Sequence, residues 1–178
     1  QAYFYECLNF AAVRKLPVIF VCENNLYGEY TPWEDVTAGA IRARAQALEV
    51  KSETIDGNDV WEVQKTARAS FDYARSGNGP VFIEALTYRF VGHSRSDPGK
   101  YRKPGELDAW KLRDPLIFAR QRLVNEFGFS SEEVDAVEVA VRKTMEDVRE
   151  KGLKAPTPGL GKLGSEFMDS KGVGGRAS

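Results

Sequence analysis

The chain carries a single histidine, His93, set in the loop Gly92-His93-Ser94-Arg95-Ser96-Asp97-Pro98-Gly99-Lys100-Tyr101-Arg102. A neutral imidazole donates one N–H, an arginine presents a rigid fork of donors, and serine hydroxyls add more, which is a set suited to a diphosphate. In that reading Gly92 admits a ligand close to the backbone, His93, Ser94 and Ser96 donate to it, and Arg95 and Arg102 balance its charge. The same residues equally fit a surface loop tied by an Asp97–arginine pair. A second polar cluster, Glu23-Asn24-Asn25-Leu26-Tyr27-Gly28, offers different chemistry. An asparagine amide oxygen and a backbone carbonyl are hard, neutral ligands, and Mg²⁺ needs few protein carboxylates when phosphate oxygens complete its shell. Gly28 lets the chain turn straight after such a carbonyl. Adjacent asparagines also end strands and cap turns without any ligand. Glu6 and Asn9, three apart on a helical stretch, share a face and read as solvated surface.

Both clusters follow apolar runs that must position them. Val18-Ile19-Phe20-Val21-Cys22 and Val81-Phe82-Ile83-Glu84-Ala85-Leu86 are short, β-branched and largely without alternation, as in strands buried on both faces of a parallel sheet. Residues 2–15 place Phe4, Leu8, Ala11 and Ala12 at helical spacing before Pro17. An Ala-rich stretch within 31–48 predicts a helix after a Thr-Pro-Trp turn. Val50 to Ile55 alternates as a third strand, and Asn58 is placed to cap a helix carrying Val60, Val63, Ala67, Phe71 and Ala74 on one stripe. Asp114-Pro115 starts a helix running to Gly128. Ser130 and Glu133 form a capping box for a last helix with a stripe of Val134, Val137, Val141 and Val148, closed by Gly152. The predicted class is α/β, a mostly parallel sheet flanked by helices with a C-terminal helical segment. Open α/β sheets bind ligands beyond the carboxyl ends of their strands, where both polar clusters fall.

Bulk properties narrow the partners. The 178 residues hold 25 Lys+Arg against 26 Asp+Glu, so no basic surface points to nucleic acid, and no apolar run is long enough to span a membrane. Cys7 and Cys22, both in apolar segments, read as buried free thiols of a reducing compartment.

The string Gln1 to Ala12, with Glu6-Cys7-Leu8-Asn9-Phe10-Ala11-Ala12, then Leu16-Pro17 and Glu23 to Gly28, resembles the alpha subunits of thiamine-diphosphate-dependent 2-oxo acid dehydrogenases. Tyr88-Arg89-Phe90-Val91-Gly92-His93-Ser94-Arg95-Ser96-Asp97-Pro98 is similar to that family's phosphate-binding loop. Pyruvate, branched-chain and acetoin dehydrogenases share the pattern, which covers about residues 1–155. The resemblance implies a thiamine-diphosphate-binding fold over 1–155 with a helical extension from about 113, followed by a flexible tail over 156–178. It implies Asn25 and the Tyr27 main-chain carbonyl as Mg²⁺ ligands, and Asn25 and His93 as cofactor-binding residues. His93 also borders the reacting centre, and Ser94 matches a regulatory phosphorylation site. It implies a beta subunit in a heterotetramer, a lipoyl domain as acyl acceptor, a 2-oxo acid substrate, and a bacterial cytoplasmic or mitochondrial matrix location. The family's cation motif opens with Gly-Asp-Gly, whose Asp is the charged ligand, and the glutamate that activates the cofactor's aminopyrimidine comes from the beta subunit. Neither is in this string, so the expectation is the C-terminal part of an alpha subunit, inactive by itself.

Overall fold

A computed structural model describes residues 2–157. The chain divides into two units at the boundary after Gly128. In the first, α1 (Ala2–Val13), β1 (Ile19–Asn24), β4 (Lys51–Asp56), α4 (Val60–Tyr73) and β5 (Val81–Leu86) build an α/β framework. The three strands are parallel in the order β1–β5–β4. A small antiparallel ribbon, β2 (Tyr27–Gly28) with β3 (Thr31–Pro32), follows β1.

The alternation of side chains along β5 sorts the core into two layers. Phe82, at 1% exposure, packs with Leu8 of α1, Ala45 and Val50, joined by Phe4, Ala12, Phe20, Ile41 and Leu48. Val81, Ile83 and Ala85 point the other way, where Ile55, Val63 and Tyr73 meet them. Helices therefore cover both faces of the sheet, and burying a side chain such as Phe82 or Leu8 contributes about 1.5–3 kcal/mol. The predicted α1 stripe of Phe4, Leu8, Ala11 and Ala12 faces inward as its spacing requires.

β5 is buried from Val81 to Ala85, as its apolar run predicts. β1 is not: it lies at the sheet edge, and Val21 is 59% exposed. The two cysteines also depart from expectation. Both are free, but Cys7 is exposed on the outer side of α1 and Cys22 is only partly buried. Burial, then the Glu84 and Glu23 charges, push the Cys22 thiol up, which disfavours its reactive thiolate. Tyr3 and Phe10, also on α1, are exposed.

The helix expected in the Ala-rich stretch is the short α3 (Ile41–Gln46), and a separate turn of helix, α2 (Trp33–Val36), already starts at the Trp of the Thr-Pro-Trp turn. Gly39 between them takes φ +68°, which a helix does not allow. The cap of α4 also shifts by one residue. Asp59, not Asn58, accepts from the Trp61 and Glu62 N–H groups at 2.9 and 3.3 Å. Asn58 is buried instead, accepting from the Thr87 hydroxyl at 2.8 Å and donating to the Arg113 carbonyl at 3.2 Å. A short helix, α5 (Glu106–Lys111), lies where only loop was predicted. α6 (Pro115–Asn125) starts as predicted, with Asp114 accepting from the Leu116 N–H at 2.8 Å.

In the second unit, α7 (Ser131–Lys154) begins with the predicted Ser130–Glu133 capping box. It runs two residues past Gly152, whose carbonyl accepts from the Ala155 N–H. Its Val137, Val141 and Val148 are exposed. The tail expected over 156–178 lies outside the described residues from 158 onward.

Candidate functional site

Strand register brings the two polar clusters to one end of the sheet. Asn24 of β1 and Asp56 of β4 both align with Leu86 of β5. The ladder continues for one more step on each side, Thr87 N–H to Asn24 carbonyl at 2.9 Å and Gly57 N–H to Leu86 carbonyl at 2.7 Å. The segments after β1 and after β5, some sixty residues apart in sequence, therefore leave the sheet side by side.

The first cluster is anchored from below and folded locally by its own amides. Asn24 is buried, and its amide donates to Glu84 Oε1 at 3.0 Å while its oxygen accepts from the Leu26 N–H at 3.1 Å. Glu84 sits buried on the central strand and also accepts from the Thr54 hydroxyl at 3.2 Å. Asn25 Oδ1 accepts from the Tyr27 N–H at 3.0 Å. The ribbon's register sets which edge the Tyr27 main chain faces. The Trp33 N–H bonds the Leu26 carbonyl at 3.0 Å, so the Tyr27–Pro32 pair falls at a position without cross-strand hydrogen bonds. Proline, which lacks an N–H, is tolerated opposite for that reason. The Tyr27 N–H and carbonyl then both face away from β3, toward the edge where the Asn25 amide lies. Two neutral oxygens share that edge, the donor type Mg²⁺ accepts alongside phosphate. Among the described residues no cluster of three His, Cys, Asp or Glu side chains supplies an alternative metal site.

The histidine segment closes on itself. The Arg102 guanidinium donates to the carbonyls of Arg89, Phe90 and Val91 at 2.6, 3.0 and 2.7 Å, stapling the two ends of the loop together. Asp97 folds back inside, accepting from the His93 N–H at 2.6 Å, the Gly99 N–H at 2.8 Å and the Tyr101 hydroxyl at 3.0 Å. Desolvation raises the Asp97 carboxyl, but the Gly99 and His93 amides, Tyr101 and the Arg89 charge outweigh it and hold the carboxyl below its usual range. Two sequence expectations change here. Arg102 is consumed in holding the loop. Gly92 is required by the protein itself, because a Cβ there would lie 2.3 Å from the Asp97 carbonyl oxygen. Arg95 is exposed.

The two segments meet through residues that sequence reasoning did not single out. Arg89 donates to the Glu29 carbonyl, to Tyr101 Oη at 3.0 Å and toward His93 Nδ1 at 3.3 Å. A guanidinium has no acceptor, so His93 Nδ1 accepts and the ring proton resides on Nε2. Nε2 lies 3.8 Å from Glu29 Oε1, and the ring meets Tyr30 edge-on at 5.9 Å. His93 is half exposed and presents an N–H donor, while Ser94, beside it, is exposed with Oγ 3.3 Å from Ser96 Oγ. Tyr27, Tyr30 and Tyr101 stack edge-to-face between the segments. Glu106 Oε1 accepts from the hydroxyls of Tyr27 at 2.6 Å and Tyr88 at 2.9 Å. Burial raises Glu106, and the two hydroxyls, the Lys103 N–H and the Lys103 charge reverse that and keep it ionised. Burial followed by the Glu106 hydrogen bond drives Tyr27 up, and Tyr88 for the same reasons is pushed up to about 12. The signals for these residues were an acid inside an apolar strand (Glu84), an arginine between strand and loop (Arg89) and an acid after Pro104-Gly105. Glu6 and Asn9 are exposed, as expected.

Residues 1–160 match the family model described as dehydrogenase E1 component. The chain belongs to that family. This E1 component chain is 36% identical over 161 residues to the pyruvate dehydrogenase E1 component subunit alpha of Porphyra purpurea, covering 90% of the chain and 47% of that relative. The mitochondrial subunit of the same name from Dictyostelium discoideum is 39% identical over 160 residues, covering 89% of the chain and 42% of the relative. The human somatic form, also mitochondrial, is 37% identical over 172 residues, covering 96% and 44%. The E1 chain thus spans less than half the length of these relatives, and the stretch it shares with them contains both polar segments.

Proposed function

We propose that this chain is part of the alpha subunit of a 2-oxo acid dehydrogenase, of the pyruvate type, that works with thiamine diphosphate and Mg²⁺. The reading is carried by one observation: register places the Asn25–Tyr27 edge and the His93 loop side by side at the carboxyl end of a parallel sheet. The pyruvate dehydrogenase names of the relatives favour pyruvate among the 2-oxo acids. Their mitochondrial members support a matrix location for a eukaryotic source.

In this reading Asn25 Oδ1 and the Tyr27 carbonyl would hold the cation, and His93 Nε2–H would donate to the diphosphate from the facing loop. His93 acts at the edge of the reacting centre, with its tautomer set by Arg89. When bound, the thiazolium supplies the carbanion chemistry of decarboxylation, and the protein contributes position and electrostatics. The partners in this reading would be a beta subunit that completes the site in a heterotetramer and a lipoyl domain of the acyltransferase component as acyl acceptor. A phosphate on exposed Ser94 adds about −1.5 to −2 charge beside Asp97 and opposes both the loop's closure and an incoming diphosphate.

The test uses the complete subunit carrying this chain, assembled with its beta partner, and assays pyruvate, branched-chain 2-oxo acids and acetoin. Pyruvate is expected to be turned over most efficiently. A preference for acetoin would assign the chain to acetoin cleavage, and no turnover at all would leave it an interaction unit. His93→Ala is expected to weaken cofactor binding and to lower turnover by about 10²–10³-fold, as loss of a preorganised donor does. Unchanged affinity and turnover would remove His93 from the site.

A further inference from the structure

The ribbon that carries the Tyr27 carbonyl is too small to hold itself. β2 and β3 have two residues each, and the residues flanking β2, Leu26 and Glu29, take φ +69° and +59°. A two-stranded hairpin of any length is marginal in water, and left-handed backbone at non-glycine residues is held only by its surroundings. Something outside the ribbon must fix where its carbonyl points.

The side chain of the same residue supplies that hold. Tyr27 Oη donates to Glu106 Oε1 at 2.6 Å, the shortest of the three bonds that reach this carboxylate. Glu106 is itself set firmly: it begins α5, its other oxygen accepts from the Lys103 N–H at 3.2 Å, and Tyr88 shares Oε1. Tyr88 is buried directly after β5 and stacks on Trp110 of α5 at 5.1 Å. A line of contacts therefore runs from the central strand through Tyr88 and α5 to Glu106, and ends on Tyr27. We propose that Glu106 is a positioning residue for the cation site: by gripping the Tyr27 hydroxyl it holds the Tyr27 main-chain carbonyl at the edge it shares with Asn25. This rests on the reading of that edge as the Mg²⁺ site.

The hydroxyl and the carbonyl of Tyr27 can be separated by mutation, because Tyr27→Phe removes the tether and keeps the ligand. The experiment measures, by calorimetry on the complete subunit assembled with its beta partner, the Mg²⁺ concentration that half-saturates thiamine diphosphate binding. Melting temperatures are recorded without cofactor. Tyr27→Phe and Glu106→Ala are each expected to raise the Mg²⁺ requirement about tenfold, the effect of one hydrogen bond to a charged group. The double variant is expected to do no worse than either alone, since both break one link. Glu106→Gln, which keeps an accepting oxygen, is expected to recover most of the loss, and excess Mg²⁺ to restore full cofactor stoichiometry in all of them. A purely structural role predicts lowered melting temperatures with an unchanged Mg²⁺ requirement, and that result overturns the proposal. Glu106→Ala decides by the same reading if Tyr27→Phe does not fold. Asn25→Ala separates the two levels of failure. If it leaves the Mg²⁺ requirement unchanged, the cation-site reading falls and this inference with it. If it raises the requirement while Tyr27→Phe and Glu106→Ala do not, only the role of Glu106 is lost.

Discussion

Asp97 shows how one carboxylate can set the shape of a loop. It accepts two backbone N–H groups and a tyrosine hydroxyl, so its ionised form is bound more tightly in the folded loop than in an open one. A carboxyl held below its ordinary value of about 3.9 stabilises the fold at any pH above that value, and the contribution is lost as pH falls through the folded value. Protection of the His93 and Gly99 amides from hydrogen exchange, corrected for intrinsic rates, is therefore expected to be flat from pH 7 to 5 and to collapse below about 4. Asp97→Asn should show weak protection throughout and no such step. A collapse at the same pH in Asp97→Asn would assign the acid sensitivity to another group. Gly92 belongs to the same unit, since Asp97 occupies the space a Cβ would need. In sequence Gly92 and Asp97 looked like a glycine left open for a ligand and an acid paired to an arginine. The residue types were legible; the fold-back that joins them, Gly92 to Asp97, has no periodicity and leaves no pattern to read.

Among the elements, the boundaries with local chemistry were the ones the sequence declared. The Asp114-Pro115 start of α6 and the Ser130–Glu133 box of α7 each satisfy helix N–H groups with residues adjacent in sequence. The cap of α4 was misplaced because Asn58 and Asp59 are both good caps, and only tertiary structure draws Asn58 away toward Thr87 and Arg113. Asp59→Ala is accordingly expected to destabilise the chain by about 1 kcal/mol, read from the midpoint of denaturant unfolding. Asn58→Ala is expected to cost more, about 1–3 kcal/mol, because it leaves the partly buried Thr87 hydroxyl and the Arg113 carbonyl without the partner that buried Asn58 gives them. The reverse order would mean that Asn58 is the working cap. The ribbon of β2 and β3 and the short α5 escaped notice for a related reason. Two-residue strands and a six-residue helix have no periodicity of their own, and they exist because Tyr27, Tyr88, Trp110 and Glu106 pack together.

At the scale of the molecule, the parallel sheet starts the assembly: strand register brings the segments that carry Asn25 and His93 out at one end of the fold, and Arg89 and the tyrosines join them there. What the sheet assembles here is chemically one-sided. In the proposed reading the oxygens offered to a cation are a neutral amide and a neutral carbonyl, while the histidine loop's Arg89 and Arg102 are engaged in holding the loop. Neutral ligands do little to offset the cost of stripping water from Mg²⁺, which the cation gives up reluctantly. Titrating thiamine diphosphate with Mg²⁺ into this chain alone is therefore expected to give weak binding, and the complete alpha subunit with its beta partner to bind far more tightly. The comparison should be made at several Mg²⁺ concentrations, because a site short of charged ligands shows its deficit as a raised metal requirement. Tight binding by the chain alone, with an unchanged Mg²⁺ requirement, would mean that the Asn25–Tyr27 edge and the His93 loop form a sufficient site, and the need for further ligands would have to be abandoned.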